Sequence, residues 1–175
     1  TGCLNRRVFF ERFEMLYRNA TRDATALACV MCDIDKFKKV NDRFGHQVGD
    51  QVIKEIGALL QRSARPGDLV GRYGGEEFCL VVAGLDAPGM ARFAETLRAR
   101  FEAECAASVP ALFGSSVTAS FGVSALDHGA HSPTELIDQA DQALYAAKHG
   151  GRNRVTVFAS PEDQEHLNED ATNVA

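Results

Sequence analysis

Apolar residues recur at helical spacing in four stretches of the chain. Val52, Ile53, Ile56, Leu59 and Leu60 predict a long helix from about Gln47 to Ala64, stopped by Pro66 and Gly67. Pro88, favourable in a first helical turn, precedes Met90, Phe93, Ala94, Leu97 and Phe101, a second amphipathic helix. Ser132-Pro133-Thr134-Glu135 has the form of a capping box and leads into Leu136, Ile137, Ala140, Leu144 and Ala147. That third helix ends near Gly150-Gly151. A fourth, near the N-terminus, runs from about Arg7 to Asn19 on Phe9, Phe10, Phe13 and Leu16.

Strand-like runs lie between the helices: Ala26 to Asp33, Leu69 to Tyr73, Phe78 to Val82, Val117 to Val123 and Val155 to Phe158. Gly74-Gly75-Glu76-Glu77 separates Tyr73 from Phe78, a short hairpin connection with two glycines free to take positive φ. After the N-terminal helix the order reads β-α-β-β-α-β, then a helix and a last strand. This is an α+β chain whose core follows the ferredoxin-like pattern, an antiparallel sheet with helices on one face. There is no internal repeat and no low-complexity linker. Residues 1–158 therefore read as one domain, and 159–175 as a separable polar tail, disordered or linking.

Composition narrows the function classes. The 175 residues are 45% hydrophobic and 25% charged, ordinary for one globular domain and too few for two full-sized ones. The longest apolar stretch, Ala26 to Cys32, is far short of the roughly 20 residues that span a bilayer. No signal peptide opens the chain, and nothing in it points to direct membrane contact. The net charge is −5, and the five acids of the tail (Glu162, Asp163, Glu165, Glu169, Asp170) account for it. The remaining body is neutral, so a nucleic-acid partner, which would need a basic face, is not expected. Five cysteines at irregular spacing read as reduced and cytoplasmic. Cys29 and Cys32 form a superficial CxxC. On a strand, residues three apart point to opposite faces, so the pair reads as core packing.

The chemistry gathers where the sheet would bring carboxylates together. In the ferredoxin-like order the third strand lies between the first and second, so the end of strand one sits beside the hairpin. Asp33-Ile34-Asp35 ends strand one and Glu76-Glu77 lie on the hairpin. Close carboxylates repel and take up protons unless something positive neutralises them. A hard divalent cation with oxygen ligands and a nearby phosphate, Mg²⁺ above all, would do so. Solvated carboxylates at a sheet edge are the plain alternative. Gly74 and Gly75 would let a ligand approach the backbone, and no GxxxxGK[ST] phosphate loop is present. Lys38, Lys148 and Arg152 could each serve phosphates or be solvated surface. Asn41 and Asp50 flank the glycine-bounded entry into the first long helix. An amide and a carboxylate suit the donor-rich edge of guanine, although each is also a common turn or cap residue.

Four motifs in order resemble those of GGDEF-domain diguanylate cyclases. Thr1-Gly2-Cys3-Leu4-Asn5-Arg6-Arg7 is similar to the family's opening segment, cut just inside the usual start. Asp33-Ile34-Asp35-Lys36-Phe37-Lys38-Lys39-Val40-Asn41-Asp42, with Gly45-His46 and Gly49-Asp50, resembles its first signature. Gly74-Gly75-Glu76-Glu77-Phe78 is the GGEEF form of its name-giving motif. Ala140-Asp141-Gln142-Ala143-Leu144-Tyr145-Ala146-Ala147-Lys148, followed by Gly151-Arg152-Asn153, resembles its closing signature. The resemblance covers roughly residues 1 to 158.

The resemblance implies a palm-like fold shared with nucleotidyl cyclases, and condensation of two GTP into cyclic di-GMP and two pyrophosphates. It implies that Asp33, Glu76 and the Ile34 carbonyl bind Mg²⁺, with Mn²⁺ as a substitute, beside Gly74 and Gly75. Glu77 would lie near the attacking hydroxyl or a metal. Asn41 and Asp50 would recognise guanine, and Lys38, Lys148 and Arg152 would hold the phosphates. Asp50 favours GTP over ATP, because adenine offers no N1–H to this carboxylate. Each domain would hold one GTP, so turnover would require a homodimer. Arg65-Pro66-Gly67-Asp68 matches the family's RxxD inhibitory site, where cyclic di-GMP would bind as an allosteric inhibitor. Arg92 would assist there, while Thr96 stands where a second helper arginine is often found. An upstream sensory or dimerising segment is expected, and a membrane anchor on the parent protein is left open. The rival class is a GGDEF-like regulatory module without turnover; its usual damage, in GG[DE]EF or the first aspartate, is absent here.

Overall fold

The computed structural model describes residues 1–159. Of the acidic tail expected from 159 on, all but Ala159 lies outside the described residues. The chain begins with helix α1 (Arg6–Asp23), strand β1 (Leu27–Ile34) and two consecutive helices, α2 (Phe37–Phe44) and α3 (His46–Ser63). Strands β2 (Leu69–Arg72) and β3 (Glu77–Ala83) form the hairpin. Helix α4 (Ala87–Ser108), strand β4 (Ala119–Ala125), helix α5 (Pro133–His149) and strand β5 (Val155–Val157) complete it. Short 3-10 turns follow α4 and β4.

Helix starts follow local chemistry. Asn5 caps α1 by accepting from the Val8 N–H, and Asp86 caps α4 by accepting from Gly89, with Pro88 in the first turn. Ser132 caps α5 by accepting from the Glu135 N–H at 3.1 Å. Glu135 reaches back to the His131 N–H at 2.8 Å, one residue earlier than in the usual reciprocal box. Helix α2 has no such signal: it starts at Lys36, in the left-handed region at φ 54°, without a side-chain cap. With eight residues and two buried ones, Phe37 and Val40, it carries too little periodicity to be read ahead.

The sheet order is β2-β3-β1-β4-β5. As predicted, β3 lies between β2 and β1 and is antiparallel to both. β4 is antiparallel to β1, but β5 adds parallel to β4, so the sheet as a whole is mixed. The expectation of helices on one face is corrected as well. Ala28, Val30 and Cys32 of β1 pack with α3 and α4, including Val52, Ile56, Leu97 and Phe101. Leu27, Cys29 and Met31 pack on the other face with α1 and α5, including Phe9, Phe13, Ile137 and Leu144. Every residue of β1 is buried, as a central strand covered on both faces requires. Cys29 and Cys32 fall on opposite faces as expected, and all five cysteines are free. Strand β4 starts two residues later than predicted, because Thr118 lies before it, its carbonyl accepting from the Asp35 N–H at 2.8 Å. Among the described residues, no helix is long and apolar enough to cross a membrane.

Candidate active site

The antiparallel register decides which carboxylates meet. Asp33, near the end of β1, stands opposite Glu77, the first residue of β3. Glu76 precedes it on the hairpin, so three carboxylates from two distant segments share one end of the sheet. Asp33 is 6% exposed, and Lys148 from the last turn of α5 reaches it with Nζ 2.9 Å from Oδ2. Burial pushes the Asp33 carboxyl up to about 6. Lys148 opposes that rise, while the charges of Glu76 and Glu77 add to it.

Backbone bonds hold the hairpin tip. The N–H groups of Tyr73 and Gly74 both donate to the Glu77 carbonyl, at 2.8 and 3.2 Å. The Arg72 guanidinium clamps the Gly75 carbonyl through Nε at 3.1 Å and Nη2 at 2.5 Å. Arg6 stacks over the Tyr73 ring at 4.8 Å, bracing the hairpin base from α1. The two glycines are there for different reasons. A Cβ on Gly74 would strike Glu77 Oε2, so any larger residue there would require the Glu77 carboxylate to move. A Cβ on Gly75 would meet nothing, and its φ is not positive. Its bareness serves no packing need of the fold and leaves the backbone open to a ligand.

Asp35 is corrected as a member of the acidic cluster. It is 7% exposed and accepts from Thr118 Oγ1 and Ser120 Oγ, both at 2.7 Å, and from the Asn153 N–H at 3.0 Å. Three donors satisfy a buried carboxylate without a cation. Asn153 in turn accepts from Arg98 at 2.6 Å and donates to Glu102 at 2.9 Å. Arg98, then Asn153, hold the Glu102 carboxyl below its ordinary range. The turn after α5 is thus pinned between β1 and α4, which fixes where Lys148 and Arg152 sit. Nothing in the local sequence around Thr118, Ser120 or Asn153 marks these holding roles, because their partners are distant in sequence. Arg72 was within reach: a guanidinium three residues from Gly75 is a recognisable clamp once the hairpin is drawn.

The other predicted residues divide into two places. Asn41 on α2 lies against Gly49 of α3, where a Cβ would collide with Asn41 Oδ1 and approach Phe37 at 3.1 Å. Glycine there lets the two helices come together at Asn41, and Asp50, the next residue, is exposed. Asn41 Oδ1 is buried without a hydrogen-bond partner among the described residues. Lys38 is exposed on α2, and Arg152 is exposed on the turn after α5 at φ 66°. Arg65 and Asp68 lie at the other end of β2, four residues or about 13 Å of strand from the hairpin. Asp68 Oδ2 accepts from the Arg65 N–H at 2.7 Å, while the Arg65 side chain is exposed. Arg92 is exposed on α4, and the Thr96 hydroxyl one turn later donates to its carbonyl at 3.0 Å.

Oxygen donors at this end of the sheet fit a hard cation. No group of three or more His, Cys, Asp or Glu side chains among the described residues is placed to hold a metal unaided. A cation held here by Asp33, Glu76 and the Ile34 carbonyl would need water or a ligand's oxygens to complete its shell. Lys148 presents a positive charge to the same carboxylate, which is the neutralisation such a site needs.

Comparison with known proteins agrees with the motifs and the geometry. Residues 1–154 match the family described as diguanylate cyclase, GGDEF domain. The chain is 39% identical over 157 residues to the probable diguanylate cyclase DgcT of Escherichia coli, covering 90% of this chain and 34% of that protein. It is 36% identical over 155 residues to the response regulator PleD of Caulobacter vibrioides, again covering 34% of the relative. The chain therefore spans about a third of the length of these relatives. Among solved structures it resembles the active GGEEF domain of a diguanylate cyclase from Vibrio cholerae, with a TM-score of 0.82 and 34% identity. That match covers 91% of this chain and 99% of the other. The GGDEF domain of DgcB from Caulobacter crescentus, in complex with c-di-GMP, gives 0.81 at 33% identity, covering 91% of each chain. With its four motifs in order, the β2-β3-β1-β4-β5 palm and the Asp33–Glu76–Glu77 edge in place, the chain belongs to the GGDEF family of diguanylate cyclase domains.

Proposed function

We propose that this domain condenses two molecules of GTP into cyclic di-GMP, releasing two pyrophosphates. The observation that carries the proposal is the buried Asp33 set opposite Glu77 and beside Glu76, with Lys148 at 2.9 Å. An acidic edge whose central carboxyl rises to about 6 is built for added positive charge. Asp33, Glu76 and the Ile34 carbonyl would hold Mg²⁺, or Mn²⁺ in its place, whose charge polarises the α-phosphate and stabilises the attacking 3′-oxygen and the leaving pyrophosphate. Glu77 would lie close to the attacking hydroxyl, whose proton it could accept, or to the cation. Asn41 supplies a buried acceptor without a partner, and Asp50 an exposed carboxylate, to the donor edge of guanine. Lys38, Lys148 and Arg152 supply three cations to the phosphates. Lys148 would then leave Asp33 for the phosphates as the cation takes its place. The open backbone of Gly75 lets the phosphates approach.

Each domain offers one such half-site, so the reaction requires two domains face to face. Arg65 and Asp68, with Arg92, form the site at which cyclic di-GMP would hold domains in an unproductive arrangement. The exposed Arg65 guanidinium can stack on guanine.

The test is chromatography of nucleotides after incubating concentrated protein with GTP and Mg²⁺, with a mixture of ATP and GTP in parallel. Cyclic di-GMP alone is the expected product. Glu76→Gln should abolish it while leaving the fold intact, because one charge and little volume are removed. Near-normal turnover by that variant would remove Glu76 from the site, and GTP binding without product at any concentration would favour a regulatory module.

A further inference from the structure

A second concavity of about 370 Å³ lies between α2 and the segments 115–118 and 151–153. Asn41 and Phe37 of α2 face Gly49 and α3, and the groove is lined instead by Lys36, Lys39 and Arg43. Arg152 lines it from the opposite wall. None of the four forms an ion pair among the described residues. Five other arginines do: Arg18, Arg22, Arg62, Arg98 and Arg100. The one carboxylate in the lining, Asp35, is already held by Thr118, Ser120 and Asn153. It has little capacity left to neutralise the cations around it. Arg43 is further steadied over the Phe44 ring at 4.8 Å. Unpaired cations around one concavity repel each other, and a multiply charged anion relieves that repulsion.

We propose that this groove is an anion site for a phosphate-bearing small molecule of pyrophosphate type, separate from the nucleotide half-site and adjoining it at Arg152. Lys36 and Arg152 approach from opposite walls, while Lys39 and Arg43 line the side contributed by α2. Arginine offers paired donors to phosphate oxygens and lysine adds point charges, so the lining suits two linked phosphates better than a single carboxylate. The Ser115 and Ser116 segment brings hydroxyl donors to the same rim. The ligand is a free diphosphate such as pyrophosphate, distinct from the phosphate tail of the nucleotide in the half-site.

Titration calorimetry on the whole chain separates the groove from the half-site, with sodium pyrophosphate in one arm and a non-hydrolysable GTP analogue in the other. The test variant is Lys39→Gln with Arg43→Gln, two exposed residues outside the nucleotide half-site, its folding checked by circular dichroism against the wild type. Pyrophosphate should saturate the wild type. The double variant should weaken that binding about tenfold or more, with the affinity for the GTP analogue unchanged. Pyrophosphate binding that is absent in the millimolar range, or untouched by the double variant, overturns the proposal. Equal weakening of both ligands also overturns it, because the groove would then be part of the nucleotide site. Should the double variant not fold, Lys39→Gln alone is read against the same outcomes.

Discussion

Asp33 is a carboxylate under tension. It is buried near two other carboxylates with Lys148 as its one close cation, and its carboxyl rises to about 6 against an ordinary value near 4. Between those two values the folded chain holds a proton that the unfolded chain has released. Stability in metal-free buffer should therefore fall as pH rises from about 4 to about 6 and flatten above. The loss is at most about 3 kcal/mol, from roughly two units at about 1.4 kcal/mol each. Asp33→Asn should remove that slope and be more stable than the wild type at pH 7 by about 1–2 kcal/mol, while losing turnover. Urea denaturation across this pH range is the check, and an Asn variant less stable at pH 7 would contradict the account. Arg65 presents the opposite case. The turn it starts is held by its backbone N–H bonding Asp68, so the side chain does no structural work there. Arg65→Ala should leave stability within about 0.5 kcal/mol and the initial rate unchanged, and abolish inhibition by added cyclic di-GMP. Inhibition that persists would assign Arg65 and Asp68 to an ordinary turn.

At the scale of elements, the placement of α5 on β4 governs the site. A Cβ on Gly122 would collide with the Ala140 carbonyl and the Leu144 N–H, both backbone atoms that cannot rotate away. The Ser124 hydroxyl donates to the Leu136 carbonyl at 2.6 Å along the same contact. Helix and strand therefore meet at a distance that only glycine allows, and Lys148 reaches Asp33 because α5 lies this close. Gly122→Ala should cost about 2–3 kcal/mol in urea denaturation, since overpacking against backbone has no cheap relief. A near-neutral substitution would mean α5 can lift off the sheet. The long helices and their caps were legible because their signals are local: a period of 3.6, a proline in the first turn, a Ser or Asp accepting from the N–H three residues on. Helix α2 was not, being short and uncapped. Nor did local pattern show that β5 joins β4 in parallel, or that helices cover both faces, which follows from how α1 and α5 return to the sheet.

For the whole molecule, the proposed function gives each domain one acidic edge, one pair of guanine readers and one set of phosphate cations, a single half-site. A reaction that joins two nucleotides head to tail then needs a second copy. Turnover per chain should rise with protein concentration and become independent of it when two domains are fused to a dimerising segment. A rate per chain that stays flat across dilution, without fusion, would show that one domain suffices. The motifs that mark the family were legible residue by residue, because each is a short run of contiguous residues in the sequence. The sequence by itself determined the elements with strong periodicity, the family, and the residue types able to meet a cation, phosphates and guanine. Only the tertiary structure decided which of the neighbouring carboxylates is available. Asp33 lies near the end of β1 and Asp35 just past it, yet Lys148 meets the first while Thr118, Ser120 and Asn153 saturate the second. Those partners come from 83 to 118 residues away in the chain, and no local pattern encodes a hydrogen bond of that span.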